Sequence, residues 1–159
     1  MREVRVQAVA SKPEKVVVGR IFPGEDLILG INKICKDNNV KFASLVSALG
    51  SLSKSTIVYA VPEEKSKLGI RYCEPTTIKG PLELLSCQGI LGEDSKGEFQ
   101  IHLHGLMSDE NMKIYGGHFS LEGNTVLATV EVTLIELEKV SFIRSYDEET
   151  DFPLFKFYP

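Results

Sequence analysis

At 159 residues, with 43% hydrophobic and 25% charged side chains, the chain is large enough to close one core without disulfides or a structural metal. Its formal net charge of −4, from 18 basic and 22 acidic residues, leaves no electrostatic footprint for nucleic acid, and no run of Lys or Arg makes one locally. Three cysteines without C-x-x-C spacing, Cys35, Cys73 and Cys87, suit a reducing cytoplasm and read as buried small hydrophobes.

The opening Met1-Arg2-Glu3-Val4 lacks the apolar stretch of a secretory leader, and no apolar run approaches the ~18 residues that span a bilayer. A cytoplasmic protein without a membrane segment is expected. The first strand signal is the Val-rich Lys15–Phe22, ended by Pro23-Gly24. One main helix follows, over about residues 25–38. Glu25 and Asp26 suit the positive end of its dipole, Leu27, Ile31, Ile34 and Cys35 fall on one face, and Asp37-Asn38-Asn39 stops it.

Everything after Val40 reads as strand. Phe42–Leu49 and Ser55–Val61 come first, then a weaker Arg71–Lys79 closed by Gly80-Pro81, then Leu82–Leu91. Glu98–Leu106, Lys113–Leu121 and Thr125–Leu137 complete the sheet, joined as hairpins at Ser108–Asn111 and Glu122–Asn124. The tail from Ser141 to Pro159 holds one more candidate strand. One early helix among many strands with short connections predicts a single compact α+β domain over residues 1–159, its sheet antiparallel.

The chemistry concentrates in one segment. All three histidines, His102, His104 and His118, lie within seventeen residues. Phe99, Ile101 and Leu103 alternate with Gln100, His102 and His104, so the two imidazoles of one strand share a face. A three-residue loop, Asp109-Glu110-Asn111, with Asn111 left-handed, would pair His104 with Gly116 and His102 with His118. Gly116 would then leave open space beside a bound ion. Three imidazoles with an open fourth position match a catalytic zinc rather than a closed structural one. The same histidines could also stand solvated on a polar face. Glu131 sits mid-strand in Thr125–Leu137, on the face opposite Val130 and Val132. It reads equally as a solvated carboxylate, a partner that orients a histidine, or a general base.

At this point the sequence resembles the PPC domain, the plant-and-prokaryote conserved domain. The resemblance rests on Arg20-Ile21-Phe22-Pro23-Gly24-Glu25-Asp26-Leu27, Gly80-Pro81-Leu82-Glu83-Leu84-Leu85-Ser86 followed by Gly89, His102-Leu103-His104 with Tyr115-Gly116-Gly117-His118, and Ala128-Thr129-Val130-Glu131-Val132. It covers roughly residues 15–138. It implies a barrel-like antiparallel sheet with one main helix, a fold similar to acetolactate decarboxylase, a stand-alone prokaryotic type that forms homotrimers, and a metal, zinc, held at His102, His104 and His118.

Plant members carry AT-hooks and act on DNA. This chain has no Arg-Gly-Arg-Pro hook and no basic arm, so strong binding to nucleic acid is not expected. Three functions stand open: a metal-dependent enzyme on a small molecule bound near the metal, a DNA-associated regulatory or partner-binding module, and an assembly domain whose metal is incidental. The four aromatics of the tail, in a Pro-broken segment, suggest burial against a neighbouring subunit.

Overall fold

The Val-rich run forms a strand because its β-branched side chains fit a pleated surface, and it stops where Pro23 lacks an N–H and Gly24 adopts φ 85. The computed structural model describes residues 4–159; Met1–Glu3, in the opening where no leader is expected, lie outside the described residues. In chain order the elements are β1 (Pro13–Ile21), α1 (Leu27–Asp37), β2 (Ala43–Val58), β3 (Ala60–Pro62), β4 (Ile70–Tyr72), β5 (Thr76–Asp94), β6 (Phe99–Ser108), β7 (Ile114–Phe119), β8 (Thr125–Leu137), β9 (Ser141–Asp147) and β10 (Phe152–Tyr158).

Helix α1 begins later than the acidic pair suggests. Asp26 is its N-cap and not part of the first turn, with Oδ1 accepting from Ile28 N at 2.8 Å and Leu29 N at 3.3 Å. Leu27, Ile28, Ile31 and Cys35 form the buried stripe, while Ile34 is only partly buried. The stop falls at the asparagines: Asn38 Nδ2 donates to Ile34 O at 2.8 Å, and Asn39 takes φ 53.

The sequence breaks near residues 50–54 and at Gly80-Pro81 do not end strands. β2 and β5 run through them as two long strands in place of the four expected. Leu52 faces Leu82 and Lys54 faces Lys79, so Gly80 and Pro81 together oppose Ser53. Such a bulge bends a strand without ending it and tolerates a residue with no N–H.

The main sheet runs β1-β8-β2-β7-β6-β5-β9-β10, and β2 also pairs with β5. That extra pairing closes β2, β7, β6 and β5 into a barrel-like ring. β3 and β4 form a separate ribbon. All pairs are antiparallel except β5 with β9. The helix packs on β1 and β8, and its stripe joins Leu45, Leu52, Leu84, Leu91, Leu103, Met107, Val130 and Leu134 in one core. The α+β class with a barrel-like sheet is therefore observed. No helix among the described residues is long and apolar enough to cross a membrane.

One connection differs from expectation. β7 and β8 are not a hairpin, because the end of β2 lies between them: Ile57 pairs with Phe119 and Val58 with His118. The turn at residues 120–124 is instead built around polar groups. Asn124 is fully buried, accepting at Oδ1 from Ser55 Oγ (2.9 Å) and Thr56 N (3.0 Å) and donating to Ser120 O (2.7 Å). The tail holds two strands where one was expected. Despite Pro153, residues 152–158 form β10, paired along its whole length with β9. Two of its aromatics pack within the chain, Phe157 against Phe142 at 5.1 Å and Phe152 against Tyr72 at 5.4 Å between ring centroids, while Tyr158 stays exposed.

Candidate metal centre

Strand parity places the site. Along β6 the side chains of Ile101 and Leu103 turn into the core, 3% and 1% exposed, so His102 and His104 face outward together. On β7 the buried Phe119 forces His118 onto the same outer face. The register is His104 with His118, Leu106 with Gly116 and Ser108 with Ile114. This corrects the expected pairing by two residues. The connection spans five residues, 109–113, and Met112, not Asn111, is left-handed (φ 61). Asp109 organises it: its Oδ1 accepts from Asn111 N at 2.9 Å and Lys113 N at 3.0 Å, and its Oδ2 accepts from the Tyr115 hydroxyl at 3.0 Å. A shift of two keeps every side chain on its face, so the histidines still converge. Gly116 does not open space beside them, because it lies against Leu106, whose Cδ2 would sit 2.6 Å from a Cβ placed there.

The three imidazole centroids are 4.9, 5.0 and 5.3 Å apart. One ligand nitrogen from each lies within 4.8 Å of the others, and no carboxylate or thiol among the described residues joins the group. His102 Nε2 and His104 Nε2 are 3.1 Å apart. Two ligands at about 2.0–2.1 Å in a tetrahedral shell stand roughly 3.3 Å apart, so this pair is nearly spaced for one ion. His118 Nδ1 is buried with no hydrogen-bond partner, an atom that a cation would satisfy. The donor set and this orphaned nitrogen both fit a divalent metal.

The electrostatics agree. Burial, then the neighbouring His104 and Arg144, hold His102 below its ordinary value. Burial, followed by His102, His104 and Arg144, brings His118 down to about 4. Both imidazoles are thus neutral at pH 7, the form that ligates metal.

The backbone behind the site is close-set. Gly89 of β5 pairs with Leu103, and a Cβ on it would lie 2.0 Å from His102 O. Only a glycine lets β5 approach β6 this closely. Glu131 is not brought to the histidines. It is exposed on β8 opposite Arg20 of β1 and Leu49 of β2, and β8 borders neither β6 nor β7. Sequence reasoning missed the residues that wall the site. Tyr72 on β4 stands 5.8 Å from the His118 ring, and Arg144 on β9 donates from Nη1 to Ile101 O at 2.8 Å. Both lie far from the histidine motif in sequence, and no spacing signals them. Cys35 and Cys87 are buried as expected, whereas Cys73 is only partly so.

The profile of the Plants and Prokaryotes Conserved (PCC) domain matches residues 8–138, and the chain belongs to that family. Solved structures with the same fold include a metal-containing protein from Archaeoglobus fulgidus (TM-score 0.79, 23% identity, covering 95% of this chain and 99% of that one). A plant- and prokaryote-conserved (PPC) protein from Pyrococcus horikoshii also shares it (TM-score 0.78, 23% identity, 95% and 97%). So does a candidate DNA-binding protein from Ralstonia eutropha JMP134 (TM-score 0.71, 20% identity, 87% and 89%). In sequence, the bifunctional protein GlmU of Synechococcus sp. (strain JA-3-3Ab) is 27% identical over 152 residues, 91% of this chain and 22% of that protein. The chain spans about a fifth of the length of the curated relatives it matches.

Proposed function

We propose that the domain is a metal-dependent module that acts on a small molecule, with a divalent metal, zinc by its donor set, held by His102, His104 and His118. The observation that carries this reading is the convergence of three ligand nitrogens within 4.8 Å, with His118 Nδ1 buried and unpartnered. The description of the Archaeoglobus protein as metal-containing points the same way. Such a metal supplies Lewis acidity and lowers the pKa of a bound water to about 7. The chain's part is to hold three imidazoles on paired strands, beside a cavity of about 190 Å³ lined by His102 and His118. Glu131 has no part in this reading, given its place on β8. Elemental analysis of purified protein tests it. About one zinc per chain is expected in the native protein and near none in His104→Ala and His118→Ala; stoichiometric metal in both variants, or none in the native chain, would refute it.

The same reading includes assembly and compartment. We propose a homotrimer, on the family membership, and a cytoplasmic location, on three cysteines without a disulfide. Light scattering giving a mass near 17.6 kDa would exclude the trimer. A regulatory, DNA-associated role is a second reading, favoured by the candidate DNA-binding relative. The net charge of −4 opposes it. Submicromolar, salt-sensitive binding to duplex DNA in an anisotropy assay would establish it over the first.

A further inference from the structure

The histidine pocket has a second wall, and it comes from outside the family-matched segment. Residues 141–158 form the β9–β10 hairpin, which brings Arg144, Phe152, Pro153, Leu154 and Phe155 to the cavity beside His102 and His118. Arg144 is partly buried there. Its guanidinium has five N–H donors. Nη1 donates once, to Ile101 O at 2.8 Å, and Nε donates to Pro153 O at 3.3 Å. Three N–H, including both on Nη2, have no acceptor among the described residues. The Phe155 ring lies 5.8 Å from Cζ and helps hold the side chain in place.

No carboxylate among the described residues forms an ion pair with Arg144. Asp94 is its register neighbour on β5, but Asp94 Oδ1 is engaged by Lys96 N at 2.8 Å and Glu98 N at 3.0 Å. Partly buried charges are ordinarily paired. An arginine fixed through main-chain carbonyls, with three of its N–H donors free beside the rings of His102 and His118, is built to receive an anion. The remaining lining, with Val58, Tyr72, Phe152 and Leu154, is largely apolar.

We propose that Arg144 anchors an anionic ligand in the histidine pocket, and that the ligand is a small carboxylate with an apolar body. The carboxylate takes the free donors of the guanidinium, and the body lies on the aromatic and aliphatic wall. At about 190 Å³ the cavity equals roughly six water volumes, the scale of a molecule such as benzoate. The proposal rests on the preceding reading in taking this pocket as the place where a small molecule meets the metal. The anchor lies on the β9–β10 hairpin, outside the residues 8–138 that the family profile matches.

Calorimetric titration of the zinc-loaded full chain tests this with benzoate as the probe and benzamide as its uncharged counterpart. The native chain should bind benzoate at least about tenfold more tightly than benzamide. Arg144→Gln should bring that ratio to near one with zinc content unchanged, and Arg144→Lys should retain part of it. Equal binding of the two probes by the native chain would overturn the proposal, as would a folded Arg144→Gln that keeps the preference. Should Arg144→Gln fail to fold, the native ratio and the Arg144→Lys ratio decide. If the native chain takes up no zinc, the metal reading fails separately, and the same ratios on the metal-free chain still decide the role of Arg144.

Discussion

Asp26 joins the helix to the turn that follows the histidine strand, and its removal should be costly. Oδ1 caps α1 through Ile28 N and Leu29 N, and Oδ2 accepts from Gly123 N at 3.0 Å and Asn124 N at 2.9 Å. Asp26→Ala loses an N-cap worth about 1 kcal/mol. It also strands two partly buried main-chain donors, at roughly 1 kcal/mol each. The sum is about 3 kcal/mol. For a domain of this size that corresponds to a fall of roughly 6–12 °C in Tm. Asp26→Asn keeps one oxygen acceptor but turns an amide donor toward the other pair of N–H groups, so about 2 kcal/mol is expected. Urea unfolding at fixed protein concentration measures both. The reasoning is refuted if Asp26→Ala costs less than 1 kcal/mol, or if the asparagine variant is the less stable of the two.

Three other expectations follow from particular contacts. His118 has a folded-state value of about 4 against an ordinary 6.5, so the unfolded chain binds more protons between those values. Chelator-treated protein should therefore lose stability as pH falls from 6.5 toward 4, and His118→Ala should flatten that slope in thermal melts. Gly89→Ala should cost a few kcal/mol and weaken metal retention, because its Cβ would meet His102 O at 2.0 Å. Gly97→Ala is the control: its φ of 80 strains an alanine, but nothing lies within 4 Å, and metal retention should not change. Burial pushes the Cys35 and Cys87 thiols up to about 12, so a thiol reagent at pH 8 should modify Cys73 alone in the native protein and all three cysteines after unfolding.

The features legible in the sequence are those fixed by local periodicity. Helix α1 announced itself by its apolar spacing and its asparagine stop, and the histidine face followed from the period of two along β6. That face survived an incorrect register. The expected three-residue loop and the observed five-residue one differ by an even number, and only odd slips exchange faces. Long-range pairings were not legible. Nothing near Glu122–Asn124 reveals that β2, some sixty residues earlier in the chain, separates β7 from β8. The Gly80-Pro81 break looks the same in sequence whether it ends a strand or forms a bulge, and only the opposed Ser53 decides it. Arg144 and Tyr72 reach the site through pairings with no local signature.

The division of the site between two parts of the fold has a physical basis. The histidines stand on β6 and β7, inside the ring closed by the pairing of β2 with β5, where each strand is held on both sides. Ligand positions need that stiffness, since an imidazole displaced by about 1 Å no longer reaches an ion at 2.0–2.1 Å. The opposite wall stands on β9 and β10, whose main-chain pairing with the ring is limited to Glu93 with Ile143 and Asp94 with Arg144, supplemented by Arg144 Nη1 donating to Ile101 O. A hairpin with so short a ladder to its neighbour depends more on side-chain contacts than the ring strands do. The fold thus keeps the atoms that need exact geometry in its closed ring, and leaves the apolar wall and the guanidinium, which select what approaches, to an edge.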